Sequence, residues 1–284
     1  MQEHGEYLSF FVAVCDESEY PYRSDHGLSI LISTSPGPPN LLFDTGSHPR
    51  PLQKNLLMHG VSLDTIAVVA ISHGHYDHTG GLSAFHTVEE PPIVYANPGI
   101  RRERYMVYGE GARYIGIPQD LKTLSGLPFQ KVTGCREIWP GIWALNPIDR
   151  SNEFERSDEP LCLDRNGVIP DTFKDEMALV AESPLGLVLF SGCSHRGIVN
   201  AVDTVHARFE GRDVHAVVGG FHLRRSSEER HQQTARALAK RGVKKVFAGH
   251  CTGEKAQKAL HKEYGSDFVP LFAGLTQVFS ERSQ

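Results

Sequence analysis

Across its 284 residues the chain has no apolar run approaching the roughly 18 that a membrane-spanning helix needs, which removes that class of protein. Cysteine is scarce and scattered. The five thiols, at 15, 135, 162, 193 and 251, are odd in number and form no C-x-x-C pair, so neither a disulfide framework nor a zinc finger fits. Free thiols in a reducing compartment are expected instead. The first residues, MQEHGEYLSFFVAVCDE, lack the basic start of a secretion signal and carry acids on both sides of a short apolar run, so a cytoplasmic location is expected. Positive charge is not in excess. A net charge of -5 argues against a general nucleic-acid binder. Neither G-x-S-x-G nor G-x-x-x-x-G-K-[ST] occurs, which leaves serine hydrolase and nucleotide kinase readings without support. Internal repeats and low-complexity tracts are also missing.

What is there, 40% hydrophobic and 22% charged, is an ordinary globular balance able to bury a large core. The first half reads as β-rich: LSFFVAV (8–14), LSILIST (28–34), NLLFDTG (40–46) and IAVVAIS (66–72) are short apolar runs bounded by turn residues, with SPGPPN as a hairpin-type break. RPLQKNLLMHG (50–60) reads as a helix. In the second half strands and helices alternate: GLVLFSG (186–192), a helix over 197–209, VHAVVGG (214–220), a helix opened by a capping box of Ser226 and Glu229 and running to Gly242, and VKKVFAG (243–249). Residues 97–170 break this pattern. They are expected to form a lid-like insertion within one domain spanning 1–284.

Histidine is abundant, with 15, and its placement is informative. Strand after strand ends in glycine followed by polar, histidine-bearing residues: DTG, SHGH, SGCSH, GGFH and GHC. Loops beyond strand ends are where rigid scaffolds present ligand sites. SHGHYDHTGG (72–81) is the densest of these. His73 and His75 converge on one point if the chain bends at Gly74, and a helix starting just beyond would turn Asp77 and His78 toward an adjacent one, so that one segment serves two cations. These donors cannot fill two coordination spheres alone. His195 and His250, on the same rim, are expected to be ligands, and His222 to contact substrate.

HGHYDHTGG resembles the signature of the metallo-β-lactamase superfamily, and the order of elements resembles its αββα four-layer sandwich of α/β class. DHGLSILI, LLFDTG, YIGIP, FSGCSHRGIVN, GGFHL and HCTG are similar to blocks of one branch, the 7,8-dihydropterin-6-methyl-4-(β-D-ribofuranosyl)aminobenzene-5'-phosphate synthases. The resemblance implies two divalent metal ions, zinc in the first place with manganese or iron as alternatives. It implies His73, His75 and His195 on one ion, and Asp77, His78 and His250 on the other, with Asp77 and Asp44 as the carboxylates of catalysis and Asp44 orienting a ligand histidine. Many relatives carry a bridging aspartate where this chain has Cys193, so the bridge is a thiolate or water alone, or Cys193 is a buried thiol that binds nothing.

Two such ions activate a shared water and polarise a phosphoryl or carbonyl oxygen. The expected function is therefore a dinuclear hydrolase that directs a metal-activated hydroxide at a small phosphorylated or anionic metabolite. Arg101, Arg102, Arg104 and Arg150 are its expected phosphate contacts. The alternative is a transferase that condenses a dihydropterin pyrophosphate with a ribosyl-aminobenzene phosphate. A third reading is a metal-stabilised scaffold or sensor without catalysis. The expected partner is a small molecule, with no nucleic acid and no membrane, and oligomeric state is not legible.

Overall fold

The computed structural model describes residues 7–34, 41–121, 124, 126–156 and 159–281, so the break expected at SPGPPN lies outside the described residues. In the first half, strands β1 (Leu8–Val14), β2 (Ser29–Thr34), β3 (Leu41–Phe43), β4 (Val68–Ala70) and β5 (Ile93–Ala96) are interleaved with helices α1 (Pro49–Met58) and α2 (Tyr76–Thr79). Then come β6 (Tyr105–Tyr108), β7 (Gly111–Tyr114), β8 (Phe129–Lys131), β9 (Gly134–Trp139), β10 (Ile142–Asn146) and β11 (Leu161–Cys162). The rest holds β12 (Ala178–Ser183), β13 (Gly186–Ser191), α3 (Ile198–Arg208), β14 (Val214–Gly220), α4 (Glu228–Lys240), β15 (Lys245–Gly249), α5 (Glu254–Tyr264), β16 (Phe268–Pro270) and β17 (Thr276–Phe279).

Among the described residues these strands form two seven-stranded sheets, ordered β17-β1-β2-β3-β4-β5-β8 and β16-β15-β14-β13-β12-β10-β9, and a small third one, β11-β6-β7. β1 is apolar from Phe10 to Val14 because both of its faces are covered there. Phe10 and Val12 point inward to the second sheet, while Phe11 and Ala13 point outward to α1 and its surroundings. The inner layer is closed by ring contacts between sheets, with Phe10 edge-on to Phe190 at 5.8 Å and to Phe247 at 5.3 Å. Burying each such side chain contributes on the order of 2 kcal/mol. Ile198, Val202 and Val205 of α3, Leu238 of α4 and Leu260 of α5 cover the outer face of the second sheet. The layering is thus helix, sheet, sheet, helix, as the family resemblance implied.

Three details differ from the sequence reading. The cap of α4 is Ser227, whose hydroxyl accepts the Arg230 N–H at 3.2 Å, not Ser226 one residue earlier. β15 does not close the series, since α5, β16 and β17 follow it. Residues 97–170 are also not one insertion: β8 extends the first sheet, β9 and β10 extend the second, and only β6, β7 and β11 form a separate wall.

Candidate metal centre

The parallel strands β3–β4 and β13–β14–β15 run out at one rim, and the chain leaves several of them through backbone conformations that side chains rarely adopt. Asp44 (φ 60°), Ser194 (φ 56°), His222 (φ 46°) and His250 (φ 50°) all have positive φ. Each costs on the order of 1 kcal/mol, and together they aim polar side chains back across the sheet ends. Gly74 and Gly192 are required for closeness. A Cβ on Gly74 would collide with the Ile100 carbonyl and the Arg104 guanidinium, and one on Gly192 with the Ser72 hydroxyl.

Three imidazoles meet at the first point. His73 Nε2 lies 3.0 Å from His75 Nδ1 and 3.2 Å from His195 Nε2. A tetrahedral ion with metal–nitrogen bonds of about 2.0–2.1 Å has donor-to-donor edges of about 3.3 Å, so these atoms stand where its ligands would. The neighbours fix which nitrogen is presented. Ser72 donates its hydroxyl to Asp44 at 2.7 Å and accepts His73 Nδ1–H at 2.9 Å, which leaves the His73 Nε2 lone pair facing the other two rings. Burial above all holds His73, His75 and His195 well below the usual imidazole range, so they are neutral, as ligation demands. Phe173 stacks on His195 at 3.9 Å, 3° from parallel, and Glu176 accepts the His195 and Arg196 N–H groups at 2.6 and 2.7 Å. Together they fix that ring and its turn.

The second point is made by Asp77, His78 and His250. α2 begins at Tyr76 with His75 as its N-cap, and its first turn carries Asp77 and His78, the His78 ring lying 4.3 Å from that of His73. Asp77 Oδ2 lies 3.4 Å from His250 Nε2 and 4.0 Å from His78 Nε2. His78 donates Nδ1–H to Asp44 at 2.7 Å, so its Nε2 faces the cluster. Burial works against ionisation of Asp77, yet His78, His250 and His26 hold its carboxyl well below the usual range. Burial likewise opposes a proton on His250, but Cys251, Asp16 and Asp77 outweigh it and raise it well above the usual range. A positive charge is favoured at this point, and a cation would replace that proton.

Cys193 lies between the two groups. Its Sγ is 3.1 Å from His78 Nε2, and its ligand atom falls within 4.8 Å of those of His73 and His78, of His195 and His222, and of His250 and Cys251. Burial pushes the Cys193 thiol well above its usual range. The donor set as a whole, imidazole and carboxylate with the sulfurs of Cys193 and Cys251 beside them, fits divalent transition-metal binding. His75, Asp77, Cys193, His195 and His250 line a cleft of about 320 Å³ together with Tyr76, Met106, Ile115, Leu161, Arg113, Arg224 and Arg225, while His73 and His78 are fully buried and do not line it.

The sequence profile of the metallo-beta-lactamase superfamily matches residues 25–250. The chain belongs to that superfamily. It is 33% identical over 265 residues, 89% of its own length and 90% of the other's, to the 7,8-dihydropterin-6-methyl-4-(beta-D-ribofuranosyl)-aminobenzene-5'-phosphate synthase of Methanocaldococcus jannaschii. Its structure superposes on that of Tm1679, a metal-dependent hydrolase of the beta-lactamase superfamily, with a TM-score of 0.83 at 31% identity, covering 96% of this chain and 100% of the other. A diphosphatase of the PhnP family shares the fold alone, at a TM-score of 0.53 and 11% identity over 96% of this chain and 97% of that one. As a superfamily member the chain is a metal-dependent enzyme by descent, with groups that can hold metal already converged.

The arginines named from sequence require correction. Arg104 is 1% exposed and pairs with Asp171 at 2.8 Å and Asp175 at 2.5 Å, beneath the metal-site loop and not in the cleft. Arg101 stacks over Phe129 at 4.5 Å, and neither Arg102 nor Arg150, both exposed, lines the cleft. The cleft's cations come from β7 and the loop after β14 instead. His222, expected at the substrate, does line it. Its ring lies 4.1 Å from that of His195, and although burial lowers its pKa, contacts with Cys251 and Glu159 push it up to about 9.

Proposed function

We propose that the protein is a dinuclear metal-dependent hydrolase of a small phosphorylated or otherwise anionic metabolite, with His73, His75 and His195 holding one ion and Asp77, His78 and His250 the other. The observation that carries this reading is the convergence of two donor groups, of which His75, His195, Asp77 and His250 line an open cleft. Structural zinc sites close with four protein ligands and leave no approach. Two divalent cations bound here, zinc in the first place, would supply Lewis acidity toward a phosphoryl or carbonyl oxygen and lower the pKa of a water shared between them. The chain's own residues then do the aiming. Asp44 and Ser72 hold His78 and His73 to one tautomer each. Arg113, Arg225 and the raised His222 give an anionic group three cationic contacts above the ions. Met106, Ile115 and Leu161 offer an apolar wall to the rest of the substrate. Cys193, whose Sγ lies 3.1 Å from His78 Nε2, would be available as a further, thiolate donor to bound cations. No described helix is long and apolar enough to cross a membrane, and the five cysteines are free, which supports a place in the reducing cytoplasm.

A transferase is the second reading, and two observations favour it. The relative from Methanocaldococcus jannaschii is named a synthase, and the cleft adjoins a second cavity of about 530 Å³ that shares Glu159, His222 and Arg225 with it, room enough for a second substrate. The test is a screen of protein reconstituted with Zn²⁺ or Mn²⁺. Chromogenic phosphodiesters, phosphomonoesters and lactones are assayed beside the condensation of a dihydropterin pyrophosphate with a ribosyl-aminobenzene phosphate. Turnover of an ester or lactone supports the hydrolase, and turnover of the condensation alone replaces it with the transferase.

A further inference from the structure

His78 has a buried carboxylate behind it. The other imidazole of the same half-site has a half-buried one, from a part of the chain that no motif marks. Asp16 follows β1 and lies outside the span matched by the superfamily profile, 25–250. Its Oδ1 accepts His250 Nδ1–H at 2.8 Å, the same arrangement as His78 Nδ1–H on Asp44 at 2.7 Å. The same oxygen faces His26 Nδ1 at 3.3 Å, and His26 Nε2 faces Asp77 Oδ2 at 3.2 Å. Since His250 Nε2 also faces Asp77 Oδ2, at 3.4 Å, the four side chains close a ring in which two carboxylates are spanned by two imidazoles. Arg224 Nη2 and the Gly27 N–H anchor Asp16 itself at 2.8 and 3.1 Å.

We propose that Asp16 is the positioning carboxylate of the second half-site: it holds His250 with Nε2 toward the ion and, through His26, holds Asp77 in place. The inference rests on the two-ion reading above and adds a residue to it. A carboxylate on the far nitrogen fixes the tautomer and orientation of a ligand histidine and raises its basicity, and losing such a partner typically weakens metal binding 10- to 100-fold. A residue that merely ties down the loop after β1 would not discriminate between the two ions.

The test is a titration of metal-free wild type, Asp16→Ala and Asp16→Asn with Zn²⁺ against a competing chelator, repeated with Co²⁺ to follow the absorption of each equivalent. The expected result is an unchanged first equivalent and a second one weakened about 10- to 100-fold, with an altered Co²⁺ spectrum for that equivalent only. Should Asp16→Ala fail to fold, the near-isosteric Asp16→Asn reads the same quantity. Wild-type affinity for both equivalents would overturn the proposal, and so would equal weakening of both together with a lowered unfolding temperature of the metal-free protein. Wild type that binds fewer than two equivalents would instead refute the two-ion reading beneath it.

Discussion

Asp44 and His78 meet at 2.7 Å with neither side chain exposed to solvent at all. The same carboxylate accepts the Ser72 N–H and O–H, each at 2.7 Å, so one buried anion organises the residues that lead into both donor triads. Asp44→Ala strands three buried donors. Each unsatisfied group costs about 1–3 kcal/mol, so the metal-free protein is expected to lose roughly 3 kcal/mol or more in urea unfolding. Metal affinity should fall about 10- to 100-fold in the same variant. A loss below about 1 kcal/mol with unchanged affinity would show that the network is dispensable.

Arg104 is buried in ion pairs, while Arg225, which the sequence did not single out, lines the cleft. Arg104→Ala leaves Asp171 and Asp175 as buried carboxylates without their cation, a change that typically costs about 3–5 kcal/mol. The expected outcome is a large drop in unfolding free energy. Arg225→Ala, on the cleft wall, is expected to leave stability within about 0.5 kcal/mol and to raise KM for a phosphorylated substrate roughly 10-fold with kcat little changed. A stable Arg104→Ala protein with a raised KM would reverse the assignment.

Asp203 supplies a pH test away from the metal site. Burial opposes its ionisation, but the Arg241 guanidinium and the Ser151 hydroxyl hold its carboxyl below the usual range. A lowered folded pKa means that the unfolded chain binds the proton more readily, so the stabilisation is present above the ordinary value of about 3.9 and is lost as pH falls through the folded pKa. The pair is partly exposed, and after allowance for screening its contribution is about 0.5 kcal/mol. Denaturant unfolding of wild type and Asp203→Asn should differ by about that amount at pH 7 and converge toward pH 3. A difference that grows on acidification has the wrong sign.

Long apolar strands and the H-x-H-x-D-H segment were legible because each is written in consecutive residues. β1 and β14 are apolar runs covered on both faces, and the metal-site loop carries four donors in six positions. What escaped has no local signature. α5 buries only Ala256 and Leu260 among its eleven residues, and β17, TQVF, is recognisable only once β1 is there to pair with it. Asp16, Glu176 and Phe173 are single residues whose meaning comes from convergence across the fold. The arginines failed for a related reason. A run such as RRERY announces charge but not direction, and at Arg104 the nearby aspartates of 171 and 175 decided where the charge went. His26 could have been found, since it opens DHGLSILI just before a strand that leads to the same rim.

We propose that this rim seats two cations. The most direct measurement is the metal content of purified wild type and His75→Ala after reconstitution with Zn²⁺ and removal of loosely bound metal, with circular dichroism on both to establish that they are folded. Two equivalents in wild type and about one in the variant, with turnover abolished by chelation and restored by Zn²⁺ or Mn²⁺, is the expected result. Folded wild type that retains no metal, or His75→Ala that keeps both ions and most of its activity, would contradict it.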